Sequence, residues 1–98
     1  MAGGSVAAAD AVPQWRLDVR VRTMRKKTFV AGPREARELD ETATFIWRLM
    51  DGTKSLQQIA EVVAAEYDVA PAEVLADVRE LATELLGCEA IELSPAAT

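Results

Sequence analysis

Cysteine and histidine, two side chains on which much enzyme chemistry depends, are almost absent from this sequence. Cys88 is the only cysteine among 98 residues, and the chain contains no histidine. Disulfides within the chain, zinc sites built from cysteine and histidine, and histidine-dependent acid–base catalysis are therefore excluded. Glu89 follows Cys88 directly, and a neighbouring negative charge raises the pKa of a thiol, which makes it a poor nucleophile. We interpret Cys88 as a structural residue.

Carboxylates are the other chemically capable groups, and three of them, Asp77, Glu80 and Glu84, recur at spacings of three and four residues. Such spacing places them on one polar helix face, where exposure to solvent is expected rather than metal binding. The short Gly-Gly-Ser stretch at 3–5 lacks the lysine and the following helix of a phosphate-binding loop. We therefore predict a protein that is not an enzyme, requires no cofactor or metal, and acts by binding.

Three amphipathic helices are predicted in the second half of the chain. Asp40 is a good N-cap for the first helix, and Ser55 and Gln58 have the spacing of a capping box at the start of the second. Pro71 suits the first position of the third helix, for which Gly87 is the predicted C′ residue. The apolar residues of the first helix recur on a single face, at Ala43, Ile46, Trp47 and Met50.

Strands are predicted before the helices. Apolar and polar residues alternate from Trp15 to Val21, which is the period of a half-buried strand. A polar turn over Thr23–Lys27 leads to a short strand at Thr28–Val30, and Ala36–Leu39 forms the third strand. A three-stranded antiparallel sheet followed by three helices defines an α+β domain that resembles a winged helix-turn-helix.

This length accommodates one domain. We predict a disordered tail at 1–13, a single domain at 14–93 and a loose tail at 94–98. No apolar run reaches the ~20 residues that span a bilayer, and the N terminus lacks the basic start of a signal peptide. Together with the low cysteine content, this predicts a cytoplasmic protein without a membrane partner.

The net charge of −5 is unevenly distributed along the chain. Basic residues concentrate between Arg16 and Arg37, whereas acidic residues dominate from Leu49 onward. Two interpretations remain open. The basic residues form a solvated face, or they form a sheet surface that steers an acidic peptide or partner.

Two surfaces are candidates for binding. The third helix would enter the major groove of DNA in a winged-helix regulator, but its exposed residues are mostly acidic and the phosphates would repel them, which disfavours nucleic acid. The other candidate is the edge of the third strand, Ala36–Leu39, where an extended peptide could add as a further strand. Leu75, Val78 and Ala82 would line a groove beside it, unless Leu75 and Ala82 are instead buried by the C-terminal segment at 91–93.

Several short motifs occur in a characteristic order, namely Leu39-Asp-Glu-Thr-Ala43, Ile46-Trp47, Asp51-Gly52, Ser55-Leu56-Gln57-Gln58-Ile59-Ala60, the Tyr67-Asp68-Val69 turn and Asp77-Val78 with Leu81 and Leu85. In this order the chain resembles the PqqD-like family of RiPP recognition elements. These are peptide-binding modules in the biosynthesis of pyrroloquinoline quinone, lasso peptides and other ribosomally made, post-translationally modified peptides.

The resemblance implies the same fold and a function without catalysis. Family members hold the leader of a precursor peptide as an added strand and present it to a modifying enzyme, such as a leader peptidase or a radical SAM enzyme. Carried over by position, the resemblance implies leader contacts at Ala36, Arg37, Glu38, Leu39, Leu75, Val78, Arg79 and Ala82.

Two other functions remain open for this sequence. One is a winged-helix DNA-binding regulator that uses its basic strands. The other is a structural subunit that docks on a biosynthetic enzyme without touching its substrate. A monomer and a homodimer are both compatible with an exposed strand edge, because a second copy could cover that edge.

Overall fold

The computed structural model describes residues 8–33 and 35–94 of the chain. Its elements follow one another in the order β1 (Val12–Trp15), β2 (Arg20–Met24), β3 (Lys27–Ala31), β4 (Ala36–Leu39), α1 (Glu41–Arg48), α2 (Leu56–Tyr67), α3 (Pro71–Gly87) and β5 (Ile91–Ser94). A three-stranded antiparallel sheet precedes three helices, which confirms the predicted α+β, winged-helix-like fold class. No helix in the described part of the chain is long and apolar enough to cross a membrane.

The main sheet has the strand order β2–β3–β4, and both neighbouring pairs are antiparallel. A two-residue turn at Arg25 and Lys26 joins β2 to β3, and both residues adopt positive φ, 51° and 69°, as a tight hairpin turn requires. The boundaries predicted for the first strand, at 15–21, and for the turn, at 23–27, are therefore wrong. Such a turn normally contains asparagine or glycine, and neither is present here to mark it.

A separate two-stranded sheet joins β1 to β5, with Trp15 opposite Ile91. Pro13, assigned to the disordered tail, is buried in β1, and the first residue of the predicted C-terminal tail lies in β5. Both boundaries are displaced because strands of four residues carry little sequence signal, and β1 also contains a proline. The remainder of the two predicted tails, at 1–7 and 95–98, lies outside the described residues.

The helices begin where their capping residues predict. The side chain of Asp40 accepts a backbone N–H of the first turn of α1 at 2.8 Å, and Ser55 and Gln58 form the reciprocal capping box of α2. The prediction for the end of α3 is wrong, because Gly87 is its last helical residue and not a left-handed C′ residue. The left-handed conformation falls instead on Glu89, with φ of 60°.

The core lies between one face of the main sheet and the three helices. Its largest fully buried side chains include Val30, Met50, Leu56, Ile59, Val63, Val78 and Leu85. Trp15 from β1 closes over this core, since its indole N–H donates to the Trp47 carbonyl at 2.7 Å and the two ring centroids lie 5.9 Å apart. Packing of α2 along α3 fixes the rotation of α3, and this rotation decides which face of α3 remains at the surface.

Candidate functional site

The outer edge of β4 is the first part of the candidate site. Among residues 8–33 and 35–94, β4 pairs with β3 alone, so its other edge has no strand partner. Arg37 lies opposite Val30, and Leu39 lies opposite Thr28. Directly opposed residues share a face of a sheet, and both Val30 and Thr28 are buried. Arg37 and Leu39 therefore face the helices, whereas the intervening residue faces solvent.

A cavity of about 370 Å³ begins where β4 ends. One wall comes from the start of α1 and the residue before it, with Asp40, Thr42, Ala43 and Ile46. The opposite wall is one face of α3, formed by Asp77, Glu80, Leu81 and Glu84. We call the outer edge of β4 together with this cavity the β4–α3 groove.

The other end of β4 is held against the C-terminal end of α3. A Cβ atom added to Gly32, in the loop between β3 and β4, would lie 1.9 Å from the carbonyl oxygen of Cys88. The loop therefore passes the backbone of α3 at a distance that only glycine permits. At the far end, Asp40, which follows β4, lies across the cavity from Asp77 and Leu81, so β4 and α3 run in opposite directions.

The four β4 residues predicted to contact a leader lie on this edge. Ala36, Arg37 and Glu38 are exposed, whereas Leu39 is 3% exposed. Glu38 forms an ion pair with Lys27 of β3 at 2.7 Å on the solvent face of the sheet. The edge thus offers its backbone groups to a partner, while Leu39 anchors the strand to the core.

The four α3 residues predicted to contact a leader lie elsewhere on the helix. Val78 and Ala82 are fully buried, and Leu75 is half-buried and packs against the same core. Arg79 is exposed, and its carbonyl oxygen accepts a hydrogen bond from the Thr83 hydroxyl at 2.9 Å. None of these four side chains lines the cavity in this structure.

Sequence reasoning missed the residues of α3 that do line the cavity. Asp77, Glu80 and Glu84 were assigned to solvated surface because of their polar spacing, and Leu81 was assigned to the core stripe. Leu81 is 8% exposed and lies at the border of both surfaces. The sequence does show an acidic helix face beside an apolar stripe. Only the packing of α2 on α3 shows that this acidic face lines a cavity.

Cys88 lies at the end of α3, next to the close approach of Gly32. It is fully buried, and its thiol donates to the Leu85 carbonyl at 3.5 Å. Burial raises the pKa of the Cys88 thiol above its ordinary value, and a hydrogen bond with the backbone of Ala90 opposes this shift only in part. The thiol is therefore neutral and inaccessible at physiological pH, which agrees with its interpretation as a structural residue.

A second surface lies away from β4, around the opposite edge strand β2. A largely apolar cavity of about 450 Å³ is lined there by residues that include Trp15, Leu17, Val21 and Trp47. Leu17 and Val21 are exposed. The arginines at 20 and 22 alternate with Val21 along β2, so they lie on the outer face of the sheet. Among the described residues, no basic side chain lines the cavity of the β4–α3 groove, and Arg37 lies on β4.

Comparisons with known proteins agree with this architecture. A family model described as "Coenzyme PQQ synthesis protein D (PqqD)" matches residues 27–91. The chain is similar to a protein of Xanthomonas campestris pv. campestris (strain 8004) named "PqqA binding protein", with 37% identity over 83 residues that cover 83% of this chain and 90% of the relative.

Two solved structures share the fold. The solution NMR structure of the PqqD truncation of Methylobacterium extorquens PqqCD, described as a functional and stand-alone RiPP recognition element, matches with a TM-score of 0.77 and 28% identity over 90% of this chain and 96% of that one. TbiB1 in complex with the TbiA(beta) leader peptide matches with a TM-score of 0.70 and 22% identity over 81% of this chain and 94% of that one. The resemblance predicted from the sequence is confirmed, and the chain belongs to the PqqD family.

Proposed function

We propose that this protein binds the leader segment of a ribosomally made precursor peptide as an added β-strand on the edge of β4. The observation that carries the proposal is the unpaired edge of β4 beside the cavity between α1 and α3. Backbone amides and carbonyls of such an edge pair with an extended peptide, and an adjacent groove receives its alternate side chains. The relative named for binding PqqA supports a precursor peptide as the ligand.

Within this proposal six of the eight contacts predicted from the family have a defined part. Ala36, Arg37, Glu38 and Leu39 supply the paired backbone. On α3, we propose that the leader contacts Leu81 and its polar neighbours on the cavity wall, while Val78 and Ala82 support that wall from behind, since both are fully buried.

The added strand is tested by hydrogen exchange with PqqA of Xanthomonas campestris as the probe. We expect the amides of residues 36–39 to become protected when PqqA is added, because amides at the free edge gain hydrogen-bond partners. Protection confined to other elements, with unchanged exchange along β4, would contradict the proposed mode of binding.

The groove is tested by filling it. Thr42 is exposed on the first turn of α1 and lines the cavity, so Thr42→Trp should weaken PqqA binding by about tenfold or more without altering the core. Ala65→Trp, at an exposed position of α2 that does not line the cavity, is the matched control. Equal affinities of the two variants in calorimetric titrations would exclude the cavity as part of the binding site.

The protein in this proposal is not an enzyme and presents the bound precursor to one, such as a leader peptidase or a radical SAM enzyme. A leader held by backbone pairing leaves the remainder of the precursor free to reach a second protein. The test is the rate at which a candidate enzyme modifies its precursor with and without this chain. Presentation would be rejected if adding the chain did not change the rate of modification. It would also be rejected if the Thr42→Trp variant changed that rate as much as the wild-type chain does.

A further inference from the structure

The β4–α3 groove has a charge that specifies the kind of peptide it accepts. Asp77, Glu80 and Glu84 line the cavity from α3, and Asp40 lines it at the start of α1. Arg37 is the basic residue that β4 turns toward the helices. Among the described residues, four carboxylates and no basic side chain line the cavity, so the groove is negative there and complements a positively charged ligand.

The carboxylates alone do not define the site, which rests on the free strand edge and the cavity. An added strand directs every second side chain toward the helices, and those side chains enter the space in front of α3. Between the carboxylates, Leu81 and Ala43 line the cavity and offer apolar contact. The groove therefore suits basic side chains with one apolar side chain among them.

The acidic face also carries a cost in the unbound protein. Asp77 and Glu80 are three residues apart on α3, and Glu80 and Glu84 are four apart. Like charges at these spacings lie side by side and destabilise a helix. A ligand with positive charges offsets this repulsion, whereas an acidic ligand would add to it.

We propose that the leader recognised by this chain carries lysine or arginine at the positions that face α3, with an apolar residue between them that contacts Leu81. The proposal rests on the proposed function and names the chemical class of its ligand. It replaces the interpretation that basic strands steer an acidic leader, because Arg20 and Arg22 lie opposite Ala31 and Phe29 on the outer face of the sheet.

The experiment compares two triple variants of equal charge by titration with PqqA of Xanthomonas campestris. Asp77→Asn/Glu80→Gln/Glu84→Gln neutralises the groove. The control set, Glu61→Gln/Glu66→Gln/Glu73→Gln, neutralises three exposed carboxylates of α2 and α3 that do not line the cavity. We expect the groove variant to bind PqqA about tenfold more weakly than the wild type, and the control variant to stay within about twofold.

A double-mutant cycle with the peptide identifies the charges involved. PqqA with each lysine and arginine replaced by glutamine should bind the wild-type chain more weakly, and the groove variant should show no further loss with this peptide. Equal affinity of the groove and control variants for PqqA would overturn the proposal while leaving leader binding intact. Absence of any PqqA binding by the wild-type chain would overturn both, so the two failures are distinguishable.

Discussion

Gly32 shows how one absent side chain sets the position of β4 against α3. A methyl group at this position would overlap the backbone carbonyl of Cys88, which is not a flexible neighbour. Gly32→Ala should therefore lower the free energy of unfolding by about 1–3 kcal/mol, because the loop or the end of α3 must shift. The measurement is urea denaturation followed by circular dichroism.

Gly87 provides the matched control for this prediction. It is the last residue of α3, and a Cβ atom built there meets no atom within 4 Å. Gly87→Ala should raise the stability by about 0.5 kcal/mol, because alanine loses less backbone entropy in a helix. If the two alanine substitutions changed stability in the same direction and by similar amounts, the close approach at Gly32 would not be a determinant of the fold.

For individual residues, the sequence predicts which of them share an element or a face, but it does not predict which faces stay exposed. The strand at 36–39 was predicted because it ends directly before an N-cap that is visible in the sequence, and its contacts with a leader stay a prediction. Val78 and Ala82 were assigned to a groove, but the structure buries both completely. A helical stripe indicates that residues share a face, and it does not indicate which neighbouring element covers that face.

Among the elements, the β2–β3 hairpin has a turn that is costly for its sequence. Arg25 and Lys26 adopt left-handed φ values without glycine or asparagine. Arg25→Asn/Lys26→Gly should stabilise the domain by about 1 kcal/mol, because asparagine and glycine adopt this conformation more readily. Arg25→Gln/Lys26→Gln removes the same charges without relieving the backbone and is the control. If the two variants had equal unfolding midpoints, any gain in stability would come from the loss of the two charges and not from the backbone of the turn.

The elements also show where sequence prediction stops. Helix starts were predicted because Asp40 and the Ser55–Gln58 pair act within a single turn of the chain. The hairpin boundaries were wrong because its turn residues are atypical. Pairing of β1 with β5 joins segments at opposite ends of the sequence, and no local pattern encodes such a partner. The same limit applies to the acidic wall of the groove, which exists only after α3 has packed on α2.

On the scale of the whole molecule, the β1–β5 sheet that stabilises the fold and the groove proposed to bind a leader are formed by different elements. The β1–β5 sheet joins the two ends of the described chain and contributes Ile91, 2% exposed, to the core. The β4–α3 groove is lined by other elements, and none of its cavity residues belongs to β1 or β5. Stability and leader binding are therefore expected to respond to different substitutions.

Ile91→Ala tests this separation. Removal of a buried branched side chain should lower the free energy of unfolding by about 2–4 kcal/mol, whereas Glu92→Ala, at the next and exposed position of β5, should have little effect. At a temperature where both variants are folded, each should bind PqqA within about twofold of the wild type, because distant and independent sites act additively. Denaturation and calorimetry measure the two quantities. Loss of PqqA binding by a folded Ile91→Ala variant would contradict this separation. It would mean that the β1–β5 sheet also determines the shape of the β4–α3 groove.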